Sequence, residues 1–291
     1  MPDPDLLDGD VYVSPRYLAG STFTGDPALA PLLERGWDLR SEEDGNVYVS
    51  APDRKIHLGY LPEGEDDGLW RITAYADLFA RPKWGVCFND ETPTEFVTAF
   101  TTALAGAYAA GPPAYLADPH PTDPDLSAFS AVTPLIHSGW ALQHPSREVM
   151  ELQAPDAMAG LQYTNGRLDP ERELTTLNAR WYLWGGPSAT RPYWYATASS
   201  KTPTPLVKAV TACVADPAPL LRWKGQMPFR LRGKAQLTPL TPPSPPLPTP
   251  LDLQRAASRR PPSLGTRSVP RWSTTTTAPS AVPTGRVGRR R

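Results

Sequence analysis

The sharpest pattern in the chain follows Thr92-Pro93-Thr94, where Phe96, Phe100 and Leu104 recur at i, i+4 and i+8. That spacing puts three large apolar side chains on one face of a helix and predicts a buried stripe. Thr92 is placed to cap this helix, Pro93 suits its first position, and Glu95 would complete a capping box. Upstream the period changes to two. Residues 83–88 alternate so that Trp84, Val86 and Phe88 face one way, as in a strand. Residues 47–50 and 55–61 flank Pro52-Asp53 as two arms of a hairpin, with Ile56, Leu58 and Tyr60 on one side. Residues 69–75 predict another strand. Before them, Pro27 to Arg35 reads as a short helix with Asp26 as its N-cap, ending just before Gly36-Trp37.

The same order returns later in the chain. Gly36-Trp37 recurs as Gly139-Trp140, Ala51-Pro52-Asp53 as Ala154-Pro155-Asp156, and Tyr60 as Tyr163, all at an offset of 103. Arg81-Pro82, Trp84 and Thr92-Pro93-Thr94 recur as Arg191-Pro192, Trp194 and Thr202-Pro203-Thr204 at an offset of 110. One seven-residue insertion between Tyr163 and Arg191 accounts for the change of offset. The body is therefore an internal duplication. The second copy supplies a helix over 126–137, strand residues Ala159, Leu161 and Tyr163, and a stripe of Leu206, Val210 and Val214. Pro205 replaces Glu95 there, so the second copy keeps the cap and loses the box.

These patterns predict an α+β fold of two tandem repeats. Each would be a short helix, a four- to five-stranded antiparallel sheet and a C-terminal helix, over residues 10–110 and 111–230. The two should pack as one body, because their sheet faces need cover.

Composition adds a tail to this picture. The net charge of −1 conceals −9 over residues 1–235 and +8 over residues 236–291, where nine arginines face the single acid Asp252. That segment also holds 12 of the 37 prolines and much Ser and Thr. It cannot bury enough apolar surface to offset its ordering entropy, so residues 235–291 are expected to be a disordered Pro/Ser/Thr/Arg-rich tail. The acidic start of the chain lacks a basic segment followed by an apolar run, and no stretch reaches the roughly 20 apolar residues of a membrane span. Two cysteines make neither a disulfide framework nor a zinc site. A soluble, cytoplasmic protein is expected.

The stretches VYVSPRYLAG, RGW, SAPDRKIHLGY, RPKW and TPTEFVTAF resemble a family of actinobacterial proteins, domain of unknown function number 317, called SPDY after its Ser-Pro-Asp motif. The resemblance spans roughly residues 10 to 215 and implies two tandem copies. Here Ala51 separates Ser50 from Pro52, and the second copy reads Gln153-Ala154-Pro155-Asp156. The resemblance implies no activity, cofactor or catalytic residue.

No residue set announces chemistry. His57, His120, His137 and His144 are scattered among a strand, loops and a helix end, without metal-ligand spacing. Cys87 and Cys213 lack a local Cys/His signature and read as buried small hydrophobes. The acids Glu63, Glu65, Asp66 and Asp67 lack calcium-loop spacing, and no glycine loop has the context of a phosphate cradle. Nine tryptophans and eleven tyrosines invite base stacking, but most recur or alternate like core residues, and the body is acidic. The chain thus reads as a non-enzymatic interaction module, with no catalytic, cofactor or metal residues and no membrane partner. The alternative is an accessory nucleic-acid-binding protein acting through the basic tail, which also suits an acidic protein, and an enzyme of unrecognised type comes third. Because duplicated copies share what folding requires, a partner surface is sought where they differ. Arg54, Lys55 and His57 stand where the second copy has Ala157, Met158 and Gly160. Strand alternation puts Lys55 and His57 on the face opposite Ile56 and Leu58, a basic patch suited to a carboxylate or phosphate.

Overall fold

Each copy builds the same helix–sheet–helix unit. A leading strand, β1 (Asp10–Ser14), precedes copy one, which comprises α1 (Asp26–Leu33), β2 (Asp38–Ser41), β3 (Val47–Ser50), β4 (Ile56–Tyr60), β5 (Trp70–Ala74), β6 (Trp84–Phe88) and α2 (Thr94–Ala110). After the short α3 (Pro112–Tyr115), copy two follows with α4 (Ala128–His137), β7 (Ala141–Gln143), β8 (Val149–Gln153) and β9 (Ala159–Thr164). An extra helix, α5 (Pro170–Thr175), comes next, then β10 (Trp181–Gly185), β11 (Trp194–Ala198) and α6 (Thr204–Ala215). The chain continues through β12 (Leu220–Trp223), α7 (Phe229–Arg232) and β13 (Gln236–Pro239). This computed structural model describes residues 9–240 apart from 44, 63–68, 121–122, 124 and 144–145. The acid cluster at 63–67, His144 and the tail from 241 lie outside the described residues.

The two copies share one antiparallel sheet of ten strands, in the order β2-β3-β4-β5-β6-β11-β10-β9-β8-β7. At its centre Cys87 of β6 pairs with Thr197 of β11. These two residues are equivalents in the repeat, so a pseudo-twofold axis runs between them. Helices α1, α2, α4 and α6 gather on one face. Trp84 and Phe88 pack edge-on against Phe100, and Phe96 packs against Trp194. The predicted stripes Phe96/Phe100/Leu104 and Leu206/Val210/Val214 are all buried. The recurring Gly-Trp ends the leading helices. Gly36 and Gly139 take φ of +76° and +88°, a left-handed cap that suits glycine, and Trp37 and Trp140 donate back to Leu32 and Leu135.

The caps differ from expectation. Asp26 is the first residue of α1, and Gly25 is its N-cap. Pro93, not Thr92, is the N-cap of α2, and no side chain caps it. The Thr92 hydroxyl instead donates to Asn89 Oδ1 (2.8 Å) and, across the pseudo-dyad, to the Tyr195 carbonyl (3.0 Å). Glu95 makes no capping box. Its carboxylate receives both terminal nitrogens of the buried Arg222 on β12, at 2.7 and 2.6 Å. A guanidinium needing a counter-charge outcompetes a local amide for the carboxylate, because charge-assisted bidentate bonds are the stronger ones.

The insertion also resolves into two changes. Trp70 corresponds to Trp181, at offset 111, because each pairs with the equivalent tyrosine, Tyr60 or Tyr163. Trp84 and Trp194 remain at 110. Copy two therefore gains eight residues around α5 and loses one in the following hairpin.

The segments leading into the copies are exchanged. Trp194 of copy two donates its indole N–H to the Tyr17 carbonyl (2.7 Å), ahead of copy one. Trp84 of copy one donates to the Tyr115 carbonyl (2.8 Å), ahead of copy two. The Pro-Asp turns complete both tethers. Asp53 accepts from the Lys55 amide (3.1 Å) and from the Tyr115 hydroxyl (3.4 Å). Asp156 accepts from the Met158 amide (2.9 Å), and its charge lies close enough to Tyr17 to act on that phenol. Burial, reinforced by Asp53, pushes the Tyr115 phenol up to about 12; burial and Asp156 drive Tyr17 still further above the ordinary phenol value. The aspartate of the recurring turn thus faces a tyrosine of the exchanged segment in both copies.

β1 forms a separate three-stranded sheet between β12 and β13. Residues 236–239, expected to begin the disordered tail, are strand β13, since their backbone pairs with β1 and Leu237 is buried. Among the described residues, no helix is long and apolar enough to cross a membrane.

Candidate functional site

Side chains at odd and even positions of the sheet face opposite ways, so Arg71, Thr73, Gly85, Cys87, Tyr195 and Thr197 point away from the main helix layer. They form the floor of a cleft of about 350 Å³ roofed by α5 and the residues after it, including Leu174, Thr175, Thr176 and Leu177. The cleft sits at the pseudo-dyad. Arg71, Cys87 and Thr197 are successive cross-strand partners along its floor, and the row continues beyond it to Tyr182. A second cleft of about 630 Å³ lies on the far side of the α5 segment, lined by Gln162, Arg167, Arg172 and Tyr182 among others.

Several contacts seat the roof. Asp169 caps α5 by accepting from the amides of Glu171 (2.8 Å) and Arg172 (3.3 Å). The buried Glu173 accepts from the Ser200 amide and hydroxyl, both at 2.8 Å, and from the Arg180 amide at 3.0 Å. Leu174 comes down on the sheet where Gly85 leaves room: a Cβ there would lie 2.5 Å from Leu174 Cδ2.

The cleft exists because the copies differ in volume. Copy two carries Tyr182, Trp184 and Tyr195 as a buried aromatic cluster, with Tyr182 and Trp184 stacked at 5.6 Å. Copy one has Arg71, Thr73 and Gly85 at the equivalent positions. The same exchange explains His57. Trp184 lies directly over Gly160, its cross-strand partner, so a side chain at 160 would collide with the indole. In copy one the pair is His57 and Thr73, and the small threonine admits the imidazole.

His57 and Lys55 are half-buried and Arg54 is exposed. His57 shares a hydrogen bond with the Ser50 hydroxyl (3.0 Å) and packs edge-on against Tyr75. Arg54 takes the left-handed conformation of its turn, as Ala157 does. His57 therefore adjoins the cleft through Thr73, while Arg54 stands at the hairpin tip. Sequence reasoning missed Arg71, Thr73 and Gly85. Their signal, small or polar residues opposite Trp184 and Tyr195, becomes visible once the offset of 111 is applied to β5 and β10.

The cysteines also need correction. Cys87 and Cys213 are only half-buried, because Cys87 faces the cleft and Cys213 faces Arg16, whose guanidinium lies 3.4 Å from its sulfur. Burial raises the Cys213 thiol above its ordinary value, partly opposed by Arg16. Among the described residues no group of three His, Cys, Asp or Glu side chains could hold a metal ion.

The chain has no significant match among curated proteins or solved structures. The duplicated architecture has a family counterpart: residues 50–110 and 153–220 each match the model of SPDY, a domain of unknown function (DUF317), and the two matched regions fall one in each copy.

Proposed function

We propose that this is a cytoplasmic, non-enzymatic interaction module that engages a partner on the sheet face opposite the main helix layer. One observation carries the reading: residues that recur between the copies are used by the fold, whereas the copies diverge in volume and charge around one cleft. Trp84 and Trp194 hold the tethers, Thr92 and Thr202 the inter-copy seam, and Asp53 and Asp156 their turns. Arg71, Thr73, Gly85 and His57 stand where copy two has Tyr182, Trp184, Tyr195 and Gly160, so their side chains are not shared between the copies. Arg54, Lys55 and His57 form the basic margin of this surface. Replacing them together by alanine should leave the fold intact and weaken whatever co-purifies with the native protein. Hydrogen exchange of that complex should map protection to β4–β6 and α5. Reproducible turnover in a metabolite and nucleotide panel would defeat the reading.

A second reading is nucleic-acid binding through the tail, favoured by nine arginines against one acid in residues 236–291. It requires a salt-dependent shift of DNA or RNA that disappears when the chain is ended after Leu240, which spares β13. Binding that survives this truncation would refute it.

A further inference from the structure

We propose that the larger cleft, on the far side of the α5 segment, binds a phosphorylated sugar or polyol, with its phosphate held by Arg167 and Arg172. The site is separate from the partner surface beneath α5 and does not depend on that reading.

The segment that forms this cleft is also where the copies differ most in charge. Between Tyr60 and Trp70 copy one has nine residues, with four acids and no base. Between Tyr163 and Trp181 copy two has seventeen, with three arginines against three acids. Arg180 is committed to the fold, donating to the carbonyls of Thr164 and Gly166 and to the Ser200 hydroxyl. Arg167 and Arg172 line the cleft, and among the described residues neither guanidinium has a hydrogen-bond or ion-pair partner. The acids nearby are turned to other duties. Glu173 accepts from Ser200 and Arg180, Glu171 lies 3.8 Å from Arg81, and Asp169 Oδ1 caps α5.

Two unpaired guanidiniums in one cleft match a phosphate ester better than a carboxylate. A phosphate monoester carries about −1.5 to −2 charge at neutral pH and enough acceptor oxygens to engage both forks, whereas a carboxylate brings a single charge. Residues 1–235 carry a net −9, so an anion is drawn here by this local arrangement and not by the overall field. The cleft, at about 630 Å³, is far larger than a phosphate group needs and falls within the range of about 300–1,000 Å³ usual for small-molecule sites. The rest of its polar lining suits hydroxyls, which both donate and accept. Gln162 and Asn178 offer amides, Thr190 a hydroxyl and Asp169 a carboxylate. The Gln162 amide nitrogen donates to Glu151 at 2.9 Å, which leaves its carbonyl oxygen as an acceptor.

The test is calorimetric titration of the full chain with ribose 5-phosphate, glucose 6-phosphate and glycerol 3-phosphate. Inorganic phosphate and the three unphosphorylated compounds serve as comparisons, and hydrogen exchange locates the binding. At least one of the esters should bind saturably and protect residues 164–179, while ribose, glucose and glycerol give no response. Arg167→Gln and Arg172→Gln break no side-chain contact among the described residues, so both variants should fold. Each should weaken binding about tenfold or more, as loss of a charge-assisted contact implies. Lys208→Gln removes the same charge from an exposed position on α6 and should leave the affinity unchanged. Absence of saturable binding by all three esters would overturn the proposal, as would protection confined to other segments. Affinity undiminished in both arginine variants, or lowered equally by Lys208→Gln, would also overturn it. If inorganic phosphate binds as tightly as the esters, the cleft holds an adventitious ion only and the sugar assignment falls.

Discussion

Replacing Trp194 in copy two should loosen a segment that precedes copy one. Trp194 is 1% exposed, packs against Phe96 and donates to the Tyr17 carbonyl at 2.7 Å. Truncation to alanine empties a large core site, at about 3–5 kcal/mol. Trp194→Phe keeps most of the ring and removes the N–H, leaving a buried carbonyl unpaired at about 1–3 kcal/mol. For a folded body of this size the alanine variant should melt lower by on the order of 10 °C. The phenylalanine variant should fall by a clearly smaller amount. Circular dichroism melts measure both, and hydrogen exchange reports where the loss is felt. In Trp194→Phe the amides of Leu18 and Ala19 should exchange faster while those around Tyr115 are unaffected. Trp84→Phe should do the reverse, because its indole holds Tyr115. If each variant loosened the segment ahead of its own copy, the exchanged tethers would be refuted. Wild-type melting with abolished partner binding would make these tryptophans contact residues instead of core.

Glu95→Ala strands the buried Arg222 guanidinium and should destabilise by about 3–5 kcal/mol, whereas Glu95→Leu with Arg222→Met should recover much of the loss in urea unfolding. Asp118 bridges Lys83 and Lys201, each at 3.2 Å; burial alone would raise its carboxyl, but the two lysines outweigh it and hold it below the ordinary value. Its contribution is therefore present at neutral pH and lost as the pH falls through the depressed folded value. The melting difference between wild type and Asp118→Asn should accordingly vanish in strong acid; a constant difference would contradict the assignment. Ultraviolet titration should find the Tyr115 phenol ionising near 12, and Asp53→Asn should bring it down.

What the sequence disclosed was whatever is set locally. The apolar stripe at Phe96, Phe100 and Leu104 needs only the helical period, and the hairpin around Pro52-Asp53 needs only a turn between alternating runs. The recurrence of Trp84 as Trp194 announced the duplication. The capping box failed because Thr92 and Glu95 have partners 103 and 127 residues away, and no local pattern reveals them. The cleft was hidden for a related reason. His57 against Gly160 looked like a gain of charge, but its meaning depends on Thr73 against Trp184, hence on a register that only the paired strands define. The strand at 236–239 was obscured by the proline-rich composition that follows it.

The inner position of β6 and β11 also bears on how the molecule is made. β6 emerges from the ribosome more than a hundred residues before β11, and Gly20 waits for Arg222, 202 residues further on. Through that interval copy one can assemble β2 to β6 and Trp84 can reach the Tyr115 carbonyl only 31 residues further on, but β6 still presents an unpaired edge. An open edge is a template for whichever strand arrives first. On a crowded polysome that competitor is the β6 of a neighbouring nascent chain, so correct assembly becomes a race between intramolecular completion and intermolecular pairing.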